Sequence, residues 1–322
     1  MSPNPSSSNS GTLVGILCGM GAGALWGLVF LAPELARAFS PLQLTIGRYL
    51  AYGLLSAALI APRWRTLTAG LGRREWLALG WLSLGGNTLY YILLSSAVQL
   101  GGMAQTSLVI GFMPVVVTII GSRDKGAVPL ITLAPSLILC AIGAVCVGWQ
   151  AISSPASGSS GPQWAGLACA VGALVVWAAY AVGNSRWLSR LENVSSHDWS
   201  LLTGVVTGAQ ALALIPLSLM LDRFDHGTVA WLQFTGVAVG VAVLASIVGN
   251  ALWNRMSRLL PLTLVGQMIL FETLFALLYA FAWEQRLPTL LEVAAFMVVS
   301  ASVILCVSAH RRAVVAQAPA SA

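Results

Sequence analysis

Charged side chains are scarce in this sequence: Asp, Glu, Lys and Arg together make up only 8% of its 322 residues. A soluble domain carries about a quarter charged residues, since its surface must face water. Hydrophobic residues make up 57% of the chain, and its mean hydropathy is +0.84. This shortage of charge excludes an ordinary water-soluble domain and indicates a surface that faces lipid.

Motifs for nucleotides, metals and nucleic acid are also missing. No glycine-rich phosphate loop ends in Lys-Ser or Lys-Thr, so neither nucleotide binding nor direct ATP drive is expected. His197, His226 and His310 are the only histidines, and none has a partner at ligand spacing, so we predict no metal site and no cofactor. The net charge of +6 comes from basic residues spread over short loops, which offer no patch for nucleic acid.

The five cysteines form neither a disulfide framework nor a metal-binding pattern. All of them lie within apolar runs, which favours a role as small packing residues. They are Cys18, Cys140, Cys146, Cys169 and Cys306.

Long apolar runs fill most of the chain. A bilayer core about 30 Å thick needs roughly 20 apolar residues in a helix, and this window predicts ten spans. The runs are continuous and not alternating, which favours helices over a barrel. The first run exceeds a signal peptide's core and no Lys or Arg precedes it, so it is predicted to be retained. The spans are 12–32, 42–61, 76–95, 102–121, 128–149, 163–185, 199–221, 229–252, 262–283 and 289–309.

The distribution of basic residues predicts the orientation of these spans. With a cytoplasmic N-terminus, twelve of the sixteen Lys and Arg residues fall in inside loops or the C-terminal tail. Three fall in outside loops, and Arg48 lies within the second span. This positive-inside bias predicts that both termini are cytoplasmic.

The uncharged Ser, Gly and Pro-rich connector at 150–163 divides the chain into two similar halves, 1–150 and 151–322. Five spans per half is an odd number, so the halves must have opposite orientations, as in inverted-repeat transporters. The fold predicted is therefore an all-α polytopic membrane protein of two inverted five-helix repeats. The paired motifs are Gly23-Ala24-Leu25-Trp26-Gly27 with Ala173-Leu174-Val175-Val176-Trp177, Gly86-Asn87 and Tyr90 with Gly249-Asn250 and Trp253, and Ser122-Arg123-Asp124-Lys125 with Trp283-Glu284-Gln285-Arg286.

Several of these residues carry a resemblance to a known family. Trp26-Gly27, Arg48, Pro114, Trp177 and Glu284 match the pattern of the drug/metabolite transporter superfamily, in its EamA-type ten-helix exporters. The resemblance covers essentially the whole chain. It implies a bacterial inner-membrane protein that exports amino acids or related organic solutes.

Within that superfamily the chain is similar to YddG-type amino-acid exporters. The similar residues are Trp177-Ala178-Ala179-Tyr180, Asn184-Ser185-Arg186 and Trp253-Asn254. One position departs from the pattern: family members often have Pro in the middle of span 9, where this chain has Glu272. This departure leaves the substrate assignment open.

Polar and aromatic residues within the spans are the candidates for a substrate cavity. Trp177, Tyr180 and Asn184 share one helical face at i, i+3 and i+7, which suits an aromatic or zwitterionic solute. Amides facing lipid are costly, so they should face protein or water; the alternative is that they only hold helices together. The predicted substrate-binding residues are Trp177, Tyr180, Asn184, Asn250, Trp253, Asn254, Asn87, Tyr91, Gln105 and Gln267.

Arg48 and Glu272 are the charged residues that lie well inside predicted spans. Glu272 is the only acidic residue deep in the hydrocarbon, and such a group is a candidate for proton coupling or substrate contact. The alternative is a structural Glu that packs helices. Arg48 is a candidate to attract a substrate carboxylate or pair with an acid; alternatively, it reaches the outer interface.

The glycines Gly15, Gly19, Gly23 and Gly27 repeat at strict i+4 spacing in span 1. Small residues let membrane helices approach closely, so the stripe predicts tight packing. The alternative is a surface along which helices slide during a conformational change.

The function predicted is secondary transport of a small solute by alternating access, most simply export of aromatic or other neutral amino acids. The alternative is export of other metabolites or drugs, as performed by other members of the same superfamily. An intramembrane enzyme would need clustered carboxylates or a nucleophile beside a His, whereas here one membrane carboxylate stands alone and the histidines are scattered, so we do not expect an enzyme. A channel would not need halves of opposite orientation, so a channel is disfavoured as well. The expected partners are the solute and the lipid bilayer, with the chain acting as a monomer.

Overall fold

The computed structural model describes residues 5–113, 115–116, 120, 130–153, 161–188, 190–191, 194–259 and 262–317. Pro114 lies outside the described residues, and the side chains of Asn254 and Gln267 are likewise not described. All regular secondary structure in the described part of the chain is helical.

The helices follow one another with short connections, and a helix overlaps each apolar run in the described ranges. A one-turn 3₁₀ helix, Ala61–Arg63, joins the second helix to the third. The helices are α1 Pro5–Leu35, α2 Pro41–Ile60, α3 Trp64–Thr68, α4 Arg73–Ser83, α5 Tyr90–Gly101, α6 Met103–Ile110, α7 Leu130–Ser153, α8 Gly161–Leu188, α9 Ser196–Leu221, α10 Thr228–Val241, α11 Asn250–Leu259, α12 Leu262–Glu284 and α13 Leu290–Gln317.

Six helical segments of the described chain are long and apolar enough to cross a membrane. They are Leu13–Leu35, Pro41–Thr68, Arg73–Gly101, Gly161–Asn184, Ser196–Leu221 and Thr228–Trp253, and the shorter apolar helices are Ile131–Gly143 and Leu290–Ser302. Large apolar side chains such as Leu54, Ile131 and Met220 point outward, with Met220 83% exposed. This outer surface suits lipid and not water. The prediction of an all-helical polytopic membrane protein is confirmed.

Local sequence signals explain where two of the helices begin. The Ser40 hydroxyl accepts a hydrogen bond from the Gln43 backbone N–H, and the Gln43 side chain accepts one from the Ser40 backbone, 3.0 and 2.9 Å. Thr289 and Glu292 make the same reciprocal arrangement at the start of α13. These capping boxes satisfy backbone donors that have no partner within the helix.

Two segments wind as π-helix, and each joins two consecutive α-helices of one predicted span. Leu84–Leu89 joins α4 to α5, and Ala242–Gly249 joins α10 to α11. The first lies in predicted span 3 and the second in predicted span 8. A π-helical turn widens the helix and frees backbone carbonyls, and such turns are frequent at functional sites.

The contact between α2 and α9 is made backbone to backbone. A Cβ atom added to Gly53 would lie 2.6 Å from the Gly208 Cα, and one added to Gly204 would lie 2.2 Å from the Ser56 hydroxyl oxygen. The Tyr52 hydroxyl also donates to the Ser200 carbonyl at 2.8 Å. Small residues therefore set the separation of these two helices.

The glycine stripe of α1 lies against α12. A Cβ atom on Gly23 would come within 2.6 Å of the Phe271 Cβ, and one on Gly27 within 3.0 Å of the Ala276 backbone. Gly19 faces Met256 and Met268, and Gly15 is buried at the start of the stripe. These glycines bring the backbone of α1 against the middle of α12.

The remaining helices pack in two further sets. α7 packs on α13, where the Ser302 hydroxyl donates to the Ser136 carbonyl at 2.8 Å. α8 packs on α5, on the neighbouring π-helical turn and on α6, whereas α1 packs on α10, α11 and the second π-helical turn as well as on α12. The interior enclosed by α1, α2, α5, α8 and α12 holds the residues described next.

Candidate functional site

An arginine is buried at the centre of the helices. The Arg48 side chain is 8% exposed, and its guanidinium carbon lies 4.4 Å from the centre of the Tyr91 ring and 5.1 Å from that of Tyr49. Its Nη2 donates to the Ser246 hydroxyl at 3.3 Å, while Nε and Nη1 are buried and have no hydrogen-bond partner in the part of the chain that the structure describes. Aromatic faces stabilise the cation, but two of its three nitrogens remain available to a ligand.

The partner of Arg48 lies on the second π-helical turn. Ser246 is buried there, and its carbonyl accepts a hydrogen bond from the Asn250 side chain at 2.8 Å. Ser246 and Asn250 also line a small cavity together with Tyr52 and Ser200. The guanidinium is thus linked through one hydroxyl to a small cavity between α2, α9 and the π-helical turn.

A carboxylate lies in the same interior. Glu272 is in the middle of α12, at the point where the Gly23 backbone approaches most closely, and its side chain is partly exposed. Arg48 lies near enough to act on its charge, and Tyr90 is another neighbour. No ion pair within 4 Å joins it to Arg48 or to another residue of the described chain, so the two opposite charges share one interior without direct contact.

Aromatic rings continue the site from Tyr90 onto α8. The Tyr90 and Trp177 rings are 6.4 Å apart between centres, and those of Trp177 and Tyr180 are 5.9 Å apart. Tyr180 lies on Gly86, since a Cβ atom there would meet its ring at 2.3 Å. The structure therefore brings together three of the predicted aromatic residues, Trp177, Tyr180 and Tyr91, around Tyr90 and Arg48.

A second aromatic pair stands between α1 and α11. The rings of Trp26 and Trp253 are 4.9 Å apart, and the Trp26 Nε1 donates to the Ala245 carbonyl at 3.1 Å. Gly249 leaves the space that Trp26 occupies, because a Cβ atom there would lie 2.8 Å from Trp26 Nε1. Both aromatic pairs thus lie next to a π-helical turn and against one of its glycines.

Three predicted amides have a different placement from the aromatic residues. The Asn87 side chain donates to the Thr207 hydroxyl at 3.1 Å, and the Asn87 backbone carbonyl accepts from the Tyr49 hydroxyl, also at 3.1 Å. Asn184 accepts from the Trp199 indole N–H at 2.8 Å. Gln105 lies beside Gly101, with its Nε2 buried and without a partner. Asn87 and Asn184 are thus engaged between helices, whereas Gln105 retains a free donor.

Tyr49 is the residue of this site that sequence reasoning did not single out. It contacts the Arg48 guanidinium and the Tyr91 ring, whose centre is 5.8 Å from its own. Neighbours at i and i+1 do not share a helical face, so the Arg48-Tyr49 pair gives no periodic signal. Within the described chain, no group of three or more His, Cys, Asp or Glu side chains could hold a metal ion.

Comparison with known proteins places this arrangement in context. The EamA-like transporter family matches residues 13–149. The chain is 34% identical over 316 residues to "Inner membrane protein YtfF" of Escherichia coli (strain K12), and the match covers 92% of this chain and 95% of that protein.

A solved structure described only as "Crystal structure of protein" has the same fold. Its TM-score is 0.60 at 19% identity, and the match covers 94% of this chain and 99% of that one. Together with the apolar helices, these likenesses make the chain a multi-pass inner membrane protein.

Proposed function

Because the chain belongs to the EamA-like transporter family of the drug/metabolite transporter superfamily, we propose that it is a secondary carrier that exports neutral amino acids by alternating access. The single observation that carries the proposal is the buried Arg48, whose Nε and Nη1 have no hydrogen-bond partner among the described residues. A buried cation with free donors is costly, and a solute that enters the site would supply the missing acceptor.

We propose that ten helices cross the membrane as two inverted five-helix repeats with both termini in the cytoplasm. The helix contacts support this, because they are exchanged when each predicted span is replaced by the one five later. Span 1 packs on spans 8 and 9, and span 6 packs on spans 3 and 4. Span 2 packs on span 7, and span 5 on span 10, which is what a two-fold axis in the membrane plane requires.

Two local features support the same repeat. The π-helical turns lie in spans 3 and 8, which are equivalent in this arrangement. The aromatic pairs are also equivalent: Trp26 of span 1 faces Trp253 of span 8, and Trp177 of span 6 faces Tyr90 of span 3. In our proposal each pair closes one side of the cavity in turn, while the glycine stripe of α1 permits the movement.

The proposed substrate site combines the charged centre with the rings around it. Arg48 holds the solute's carboxylate, and Trp177, Tyr180 and Tyr91 line the apolar part. The further lining positions proposed are Asn87, Gln105, Asn184, Asn250, Trp253, Asn254 and Gln267. Glu272 is the proposed proton-coupling group, and one chain is sufficient because both halves of the site belong to it.

Flux measurements in proteoliposomes test this function. Labelled neutral amino acids are followed in both directions, with and without a pH gradient, for the wild type and for Glu272→Gln. We expect saturable flux that follows the gradient and loses that dependence in the variant. Flux that saturates but ignores both changes would make the protein a facilitator with a structural Glu272, and flux that never saturates would indicate a channel.

A further inference from the structure

Arg48 and Glu272 are opposite charges that share the interior without pairing. The Arg48 guanidinium contacts the Tyr49 and Tyr91 rings and the Ser246 hydroxyl. In the described chain the Glu272 carboxylate has no hydrogen-bond partner. An ion pair left apart in a low-dielectric interior loses the attraction that would offset its desolvation. A ligand that bears both complementary charges would satisfy both groups at once.

We propose that Arg48 and Glu272 are the two poles of a zwitterion site, with Arg48 binding the carboxylate and Glu272 the ammonium group of an α-amino acid. This inference rests on the proposed carrier function and deepens it. It makes charge balance, and not one functional group, the determinant of selectivity.

The charge of the loaded site supports this assignment. Arg48 and Glu272 together carry no net charge, so a zwitterion leaves the complex neutral. A solute with only a carboxylate or only an ammonium group would leave one buried charge without a partner, which is strongly unfavourable. The preferred solutes are therefore neutral amino acids. Their amides would leave Arg48 without a carboxylate partner, and their des-amino acids would leave Glu272 without an ammonium partner.

The surroundings of the two poles indicate where the amino-acid side chain goes. Tyr90 is a neighbour of Glu272 and its ring lies 6.4 Å from that of Trp177, so an apolar wall begins beside the ammonium pole. Aromatic rings also stabilise an ammonium group that lies over their faces. This wall suits an aromatic or branched apolar side chain.

The same arrangement couples transport to protons by competition. Glu272 binds either the substrate ammonium or a proton, and a proton that enters from outside takes the place of the departing ammonium. Among the described residues, the charged and titratable groups near Glu272 are Arg48 of α2 and Tyr90 of α5, whereas α1, packed directly on α12, presents glycines there. Each exchange moves one proton inward for one zwitterion outward.

A competition panel tests the zwitterion site on the full-length protein in detergent. The probe is labelled phenylalanine or leucine, whichever gives saturable binding, and the competitors are the same amino acid, its amide and its des-amino acid. For the wild type we expect both singly charged analogues to compete at least about tenfold more weakly than the amino acid, since a buried charge would stay unpaired.

The variants should reverse this preference in opposite directions. Arg48→Gln removes the carboxylate's partner, so the amide should become the best ligand; Glu272→Gln should make the des-amino acid the best. Binding to the variants is followed directly by intrinsic tryptophan fluorescence. Arg48→Lys and Glu272→Asp keep the charges and should keep the preference for the zwitterion, which separates a loss of charge from a failure to fold.

Arg37→Gln is the matched control, because it removes a basic side chain that is exposed and pairs with Glu34 at the end of α1. It should leave the order of the three ligands unchanged. An identical order of ligands in wild type, Arg48→Gln and Glu272→Gln would overturn the inference. A wild type that transports other solutes saturably but no zwitterion would also overturn it while sparing the carrier function, and no saturable flux of any solute would remove both.

Discussion

Trp26 and Trp177 lie in equivalent spans of the proposed repeats, spans 1 and 6, yet their ring contacts differ in distance. The ring centres of Trp26 and Trp253 are 4.9 Å apart, and those of Tyr90 and Trp177 are 6.4 Å apart. Ring centres at 4.5–7 Å are within the range of favourable aromatic pairs. Both contacts are therefore formed in this structure, and the one between α1 and α11 is the closer.

Gly23 is the residue at which α1 approaches α12 most closely. In Gly23→Ala the new methyl group would lie 2.6 Å from the Phe271 Cβ and 2.9 Å from the Glu272 backbone nitrogen. Backbone cannot rotate away as a flexible side chain can, so we expect a loss of about 1–3 kcal/mol in stability. The measurement is the thermal unfolding midpoint in detergent.

Gly80→Ala is the control for that substitution. Gly80 lies within α4 and has nothing within 4 Å of its added Cβ. Alanine should therefore stabilise the helix by about 0.5–1 kcal/mol. Equal midpoints for the two variants would contradict the close approach of α1 and α12.

At the scale of elements, the first π-helical turn depends on a glycine that fits beneath Tyr180. Gly86→Ala would place a methyl group 2.3 Å from the Tyr180 ring. The Tyr180 ring must therefore move, and such overpacking costs about 1–3 kcal/mol. If this cost falls on the substrate-bound state, we expect about tenfold weaker substrate binding. Equilibrium binding of a labelled amino acid measures the effect.

The neighbouring Gly85→Ala provides the comparison, because its nearest neighbour is the Val176 Cγ1 at an ordinary 3.7 Å. It should bind substrate as the wild type does. Similar affinities for all three proteins would show that Tyr180 does not contribute to the site.

The connection between α12 and α13 is organised by one ion-pair cluster. Arg286 donates from Nη1 and Nη2 to the buried Glu292 carboxylate, and from Nε to Glu284. The hydrogen bonds from Arg286 to Glu292 raise the pKa of Arg286. A raised pKa of Arg286 means that the arginine's contribution is complete at neutral pH and that, as the pH rises, it is lost only in strong alkali.

Removal of the central carboxylate should loosen this connection. Glu292→Gln breaks the bidentate pair with Arg286 and weakens the capping box with Thr289, so we expect a loss of about 1–3 kcal/mol. Glu284→Gln removes only the more exposed partner and should cost about 0–1 kcal/mol. Thermal unfolding of the two variants side by side checks the difference, and a larger loss for Glu284→Gln would contradict it.

At the scale of the whole molecule, the orientation in the membrane is a prediction of the basic residues alone. In a chain whose five native cysteines are replaced, Ala156→Cys should react with a membrane-impermeant maleimide in intact cells. Ala320→Cys should react only after permeabilisation, because the positive-inside bias places the tail in the cytoplasm. The reverse labelling pattern would invert the proposed topology.

Much of this fold could be read from apolar runs, because a helix that must pair all its backbone groups in lipid needs about 20 apolar residues. The close packing of the α1 glycines could also be predicted, from their i+4 spacing. The approach of Arg48 to Tyr49, Tyr91 and Ser246 could not, since it depends on three-dimensional packing between distant helices. The π-helical turns also escaped prediction, because one extra residue per turn leaves no mark in hydrophobic periodicity.

The contact of Gly53 with Gly208 has a mechanical consequence. Gly53 and Gly208 bring the two backbones into direct contact, while the Tyr52 and Ser56 side chains pack against Gly204, four residues earlier on α9. Gly53 is twelve residues from the start of α2, a lever arm of roughly 18 Å. A small rotation at this point is therefore magnified at the Pro41 end of the helix, which the proposed topology places on the outside of the membrane.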